Sequence, residues 1–294
     1  MKELIKKIDT SLVKFYFLGS NHPKRLSFYL RSLHKLIPFI NHPDESPDDR
    51  FNEANLLVRE LNKNTFLLYV GDSIIEHLSR VSSNKDKKIS NTLAYWLGPK
   101  TRLGFINQLE FNNTINSIER NLAKLFNLIN KPKEIYLIWS SGSIDIRCSF
   151  YELITSGAIK NDDELLNIYE RNTEHLIVNF LLPLSLKINA KNVIMLSELQ
   201  SILKATTPST IKEIKEIRKI NNYPTLGTFS QREDWRNAAN EITRLLCKKY
   251  SLGYVDINSF IQNKDSNLEQ FDGVHFSNPE TIKKINQAIL KSFI

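Results

Sequence analysis

The sequence has little cysteine, no long apolar run and no glycine-rich phosphate loop, and each shortage removes a class of function. Of 294 residues only Cys148 and Cys247 are cysteines, and neither belongs to a Cys-x-x-Cys pair. They cannot build a disulfide framework, so the expected state is reduced thiol in a cytosolic compartment. No stretch approaches the ~20 apolar residues of a membrane-spanning helix. Neither a Walker loop nor a dinucleotide fingerprint is present, so no nucleotide or other cofactor is expected. His22, His34, His42 and His175 are scattered without metal-ligand spacing, and no metal is expected. The opening MKELIKKIDTSLVKFYFLGS is basic, but Asp9 and Lys14 interrupt its apolar character and no cleavage pattern follows. It argues against a signal peptide and reads as an amphipathic helix, open to peripheral contact with a membrane or partner surface.

Composition is that of an ordinary globular chain, 41% hydrophobic and 24% charged. A net charge of +8 invites an anionic partner. The basic residues are interspersed with acids, however, and no basic run carries interleaved aromatics for base stacking. A solvated basic surface is expected, and no specific nucleic-acid partner.

Residues 1–62 read as a helical N-terminal extension, with RLSFYLRSLHKLIPFI helical and NHPDESPDDR a polar loop. From about residue 63 to 294 the pattern changes. The short apolar runs TFLLYV, TLAYWL, EIYLIW, NVIML and GYVDI are bounded by polar residues, as in strands buried on both faces. Between and after them lie the helix candidates SIIEHLSRV, TINSIERNLAKLFNLI, DELLNIYERNTEHLIVNFLLPLSLKI, DWRNAANEITRLLCKKY and NPETIKKINQAILKSFI. This alternation predicts an α/β domain with about five parallel strands flanked by helices. In such sheets ligands bind at the carboxyl ends of the strands. The segment between the fourth strand and the penultimate helix, with Ile211, Ile214 and Ile217 as an apolar stripe, is either a lid or a surface excursion.

Chemistry gathers at those strand ends. Gly71-Asp72-Ser73 closes the first run, Leu97-Gly98-Pro99 the second, and Ser140-Ser141-Gly142-Ser143-Ile144-Asp145 the third. Near the C-terminus stands Asp272-Gly273-Val274-His275. A serine hydroxyl is a poor nucleophile unless a base lies within hydrogen-bond reach and a third group orients that base. Ser73, His275 and Asp272 are the candidates for those roles, and the Asp-x-x-His spacing lets one turn place orienter beside base.

The blocks and their order resemble the SGNH/GDSL hydrolase superfamily over roughly residues 65–294. That resemblance implies a flavodoxin-like three-layer sandwich, Ser73 as nucleophile, His275 as general base and Asp272 as its orienter. It also implies an oxyanion hole built from the backbone N–H groups of Ser73 and Gly98. Glycine suits that role because a Cβ would obstruct the approach to the reacting carbonyl. The third block departs from the family's Gly-x-Asn-Asp, whose Asn donates to the oxyanion; Ile144 stands there instead. Losing one such donor costs roughly a hundredfold or more in rate. The variant Gly-x-Ile-Asp-x-Arg is similar to that of a divergent branch associated with surface-glycan assembly, and the chain carries it whole from Gly142 to Arg147.

Asp145 and Arg147 are candidate substrate-binding residues. They could form an ion pair, or Arg147 could bind a substrate carboxylate or phosphate and partly replace the missing donor. The plainer alternative is a pair that fixes the loop. His77 and Glu198 offer weaker cases, as a packing residue and a loop acid. Glu233 and Asp234 are expected at the positive end of a helix, with Trp235 in the core. Two functions are compatible with this inventory. One is serine-dependent hydrolysis or acyl transfer on an acylated small molecule or glycan. The other is a site without turnover, binding a glycan or partner through Arg147.

Overall fold

The computed structural model describes residues 15–18, 65–72, 74–75, 91–97, 101–104, 107–126, 133–199, 205–260 and 279–292. Six strands are found among them: β1 Phe15–Leu18, β2 Thr65–Gly71, β3 Asn91–Trp96, β4 Glu134–Ser140, β5 Ala190–Leu196 and β6 Gly253–Val255. They form one sheet in the order β1-β3-β2-β4-β5-β6. The last five pair in parallel and correspond to the five runs read from the sequence. Among these parallel strands the chain starts inside the sheet at β2, steps outward to β3, then returns across β2 to β4 and on to β6. This is the order of a flavodoxin-like doubly wound sheet. Phe66–Val70 of β2 and Leu137–Trp139 of β4 have no exposed surface, which explains their unbroken apolar sequence.

Strand β1 corrects an expectation. The segment read as an amphipathic helix contributes Phe15–Leu18 as an antiparallel strand on β3, with Phe15 opposite Tyr95 and Leu18 opposite Thr92. The outer edge of β3 offers a row of unpaired N–H and C=O groups, and four apolar residues laid along it satisfy them. This non-local gain outweighs a helical pattern broken by few turns. The rest of the proposed extension, residues 1–14 and 19–62, lies outside the described residues, as does the reading of a membrane-facing surface there. No helix among the described residues is long and apolar enough to cross a membrane.

The flanking helices are α1 Gln108–Phe126, α2 Phe150–Thr155, α3 Asp162–Leu176, α4 Leu182–Lys187, α5 Ile211–Ile220, α6 Phe229–Lys249 and α7 Pro279–Lys291. Helices α3 and α4 are one continuous rod through a π turn, Ile177–Leu181, just ahead of Pro183. Proline has no N–H to give to the turn before it, and the widened turn accommodates that loss. Phe111 of α1, Phe180 of the π turn and Trp139 of β4 pack in sequence, tilted and then edge to face, with centroids 5.5 Å apart at each step, joining helix layer to sheet.

Helix α6 begins earlier than Glu233-Asp234 suggested. Thr228 accepts from Gln231 N at 3.2 Å and Thr228 N donates to Gln231 Oε1 at 2.9 Å, a reciprocal cap that starts the helix at Phe229. The two acids therefore fall beyond the first turn. Trp235 is buried as expected, with its indole N–H donating to Asp162 at 2.9 Å.

Candidate active site

The strand ends singled out by the sequence are bonded to one another. Asp72 N donates to Ser140 O at 3.1 Å, and Leu97 N donates to Gly71 O at 2.8 Å. The residues leading into Ser73, Gly98 and Ser141 thus meet at one sheet edge. Gly71 has φ +153°, and a Cβ there would lie 2.8 Å from the carbonyl carbon of Ser140 and nearer still to its oxygen. Only glycine permits this close approach of β2 to β4 at their paired ends. Asp72 is buried; its carboxylate accepts from Ile74 N at 3.0 Å and from Ser143 Oγ at 3.4 Å, tying the end of β2 to the third block.

Ser73, Gly98, Asp272, His275 and His77 lie outside the described residues. Elements on either side of the first and last blocks nonetheless touch. Tyr69 of β2, four residues before Ser73, donates its hydroxyl to Asn286 of α7, the helix that follows the Asp-x-x-His block. Ile285 and Ile289 of the same helix are fully buried in the main core.

The third block is almost wholly internal. Asp145 has no exposed surface; its Oδ2 accepts from Arg102 N at 2.6 Å, and Leu103 supplies a second backbone hydrogen bond. Arg147, two residues on, is half-buried in a π turn, Asp145–Ser149, and its carbonyl accepts from Leu226 N at 2.8 Å. Ile144 packs with Cys148, Ile214 and Leu226 in a small apolar cluster. Ile144 therefore has a structural use. It anchors the 205–228 excursion, including α5 with its expected Ile211, Ile214 and Ile217 stripe, onto the site edge.

Beneath this loop lies a buried polar cluster. Arg102, 1% exposed, donates Nε to Ser141 O at 2.9 Å and Nη1 to Thr243 Oγ1 at 2.6 Å, and Nη2 pairs with Glu198 Oε1 at 2.5 Å. Its guanidinium lies 5.3 Å from the Tyr169 ring centroid, and the Tyr169 hydroxyl donates to Glu198 Oε1 at 3.2 Å. Burial pushes the Glu198 carboxyl up to about 8 and that of Asp145 up to about 7, with Arg102 pulling both back. One guanidinium serves both Asp145 and Glu198, and Asp72 adds a further negative charge beside them, so attraction does not offset their desolvation. For Arg102, burial acts to lower the pKa, but Glu198, Tyr169 and Asp145 outweigh it and hold the group charged.

The chain is similar in structure to SGNH hydrolases. One, a protein from Slackia heliotrinireducens assigned to that group, is 12% identical, with 78% of this chain and 99% of that one matched at a TM-score of 0.40. The lipase/acylhydrolase from Enterococcus faecalis is 14% identical over 77% of this chain and 94% of its own, at 0.36. A catalytic mutant of an acetylxylan esterase from Geobacillus stearothermophilus is 11% identical over 78% and 93%, at 0.37. No family model and no curated protein matches the chain. With superpositions this loose, the fold stands on the strand order and register, not on the neighbours.

Arg102 escaped the sequence reading. It lies in the polar stretch Lys100-Thr101-Arg102, six residues past β3's end at Trp96, and nothing marks it among 40 Lys and Arg residues. Glu198 was noticed by its place after β5, but a loop acid gives no sign of burial. Among the described residues no group of three or more His, Cys, Asp or Glu is placed to hold a metal ion.

Proposed function

We propose that the chain is a serine-dependent ester hydrolase or acyltransferase of the SGNH type, acting on an acylated small molecule or carbohydrate. The observation that supports this best is the bonding of Gly71-Asp72 to Leu97 and Ser140, which gathers three of the motif-bearing segments at one edge of a flavodoxin-like sheet. In this reading His275 takes the proton of Ser73 as the hydroxyl attacks the acyl carbonyl, and Asp272 stabilises the imidazolium that forms. The N–H groups of Ser73 and Gly98 receive the oxyanion. Ile144, committed to an apolar cluster, supplies no donor, so the hole relies on backbone groups unless Arg147 assists. Collapse of the tetrahedral intermediate expels the alcohol, which takes its proton from the His275 imidazolium, and leaves the acyl group on Ser73. Water or an acceptor hydroxyl, deprotonated by His275, then releases it. Which acceptor wins depends on how far the pocket excludes water. Asp145 acts from within the loop, and Arg147 is the candidate for a substrate carboxylate or phosphate, in keeping with a role in surface-glycan assembly.

Labelling with a fluorophosphonate probe tests this. The account predicts labelling of the native chain that is lost in both Ser73→Ala and His275→Ala. A folded native chain that resists labelling would favour the binding reading, and loss of glycan affinity in Arg147→Ala would then support it.

A further inference from the structure

We propose that Arg102 is a positioning residue for this reaction, one whose buried guanidinium sets the 141–145 loop against the strand end that leads into Ser73. The proposal rests on the function proposed above. Three of the loop's contacts trace to this one side chain and its backbone. Ser141 O accepts from Nε at 2.9 Å, Asp145 Oδ2 accepts from the backbone N at 2.6 Å, and Gly142 lies against the Glu198 carboxylate that Nη2 holds at 2.5 Å. The far side of the cluster is fixed to scaffold. Thr243 of α6 receives Nη1 at 2.6 Å and itself donates to Ala239 O at 2.8 Å. Glu198 N donates to Asn240 at 2.6 Å, and Glu198 O accepts from Asn258 at 2.7 Å. Arg102 therefore stands between a rigid helix on one side and the site loop on the other.

Two features argue that this is more than filling of space. A charge removed from water is costly, and apolar side chains of similar volume serve at least as well for stability. Arginine differs from them in presenting several donors at fixed angles, which define where an acceptor must sit. The loop then passes that position on. Ser143, between Gly142 and Ile144, donates to Asp72 Oδ2 at 3.4 Å, and Asp72 is the neighbour of Ser73 in the chain. Displacement of a reacting group by about 1 Å can cost roughly a hundredfold in rate.

The experiment compares stability with the rate of Ser73 labelling by a fluorophosphonate, in the full chain, for two variants. Arg102→Lys keeps a paired buried charge but cannot donate to Ser141 and Thr243 at once. Arg102→Met/Glu198→Leu replaces the pair with apolar volume. The proposal predicts a folded protein that labels at least tenfold more slowly in Arg102→Lys. In the double variant it predicts a similar loss of rate even where the thermal midpoint matches that of the native chain. With a turned-over ester, the loss should fall on kcat and leave KM within about twofold. Labelling at the native rate in either folded variant overturns the proposal. A native chain that labels nowhere overturns instead the function on which it rests, and removes any reaction for Arg102 to assist.

Discussion

Gly142 and Glu198 are in direct contact: a Cβ on Gly142 would stand 2.7 Å from Cδ of the Glu198 carboxyl and closer to one of its oxygens. Gly142 also has φ +116°, where L side chains are strained. Replacement by alanine must both strain the backbone and push Glu198 away from Arg102. Gly142→Ala is expected to lower stability by about 2–4 kcal/mol, combining backbone strain with a disturbed buried ion pair. Urea unfolding measures it, and a loss below about 0.5 kcal/mol would contradict the contact.

The same cluster predicts a pH dependence of stability. Burial raises the carboxyls of Glu198 to about 8 and Asp145 to about 7, above their values in an unfolded chain. Folding therefore favours their protonated forms. The stability this contributes is complete below about pH 4 and is lost as pH rises through the folded values. Arg102, Asp72 and Tyr169 also face Glu198, so the titration belongs to the group as a whole. Urea midpoints of the native chain should fall between pH 5 and 8.5. Glu198→Gln, neutral at every pH, should show a shallower fall, by up to about 1.4 kcal/mol per pH unit. Equal slopes in the two proteins would refute the assignment.

Placing asparagine at position 144 is expected to harm the protein. Ile144 is 6% exposed and packs against Cys148, Ile214 and Leu226. Ile144→Asn exchanges that burial for an amide with no designed partner, a loss of about 2–4 kcal/mol. Because Ile214 and Leu226 belong to the 205–228 excursion, the variant should also expose that segment to faster proteolysis. Limited digestion beside thermal unfolding reads both effects. A variant as stable and protease-resistant as the native chain, with higher esterase activity, would show instead that position 144 faces the oxyanion.

Much of this architecture was legible because its signals are local. The runs that became β2 and β4 are buried on both faces, so their composition alone announced them, and the Ile211, Ile214, Ile217 spacing announced α5. Strand β1 was not legible, since Phe15–Leu18 pairs with β3 by a non-local contact that leaves no periodicity behind. The start of α6 carried a readable signal in Thr228 and Gln231, but the acids Glu233 and Asp234 drew the boundary too late. At the site, the close approach of Gly71 to the Ser140 carbonyl emerges only in the structure, and the Arg102–Glu198 pair joins residues 96 positions apart whose burial no neighbouring residue reveals. Ser73, Gly98, Asp272 and His275 were legible as motifs in order, and they lie outside the described residues.

The most direct test of the account is chemical capture of the acyl-enzyme. The native chain and Ser73→Ala are mixed with p-nitrophenyl acetate, quenched in acid within the first turnover, digested and mapped by mass spectrometry. The account predicts an acetyl group on the peptide containing Ser73, at that residue, and none there in the variant. Ester cleavage that leaves Ser73 unmodified, or an acetyl group carried by another residue with Ser73→Ala still active, would contradict it.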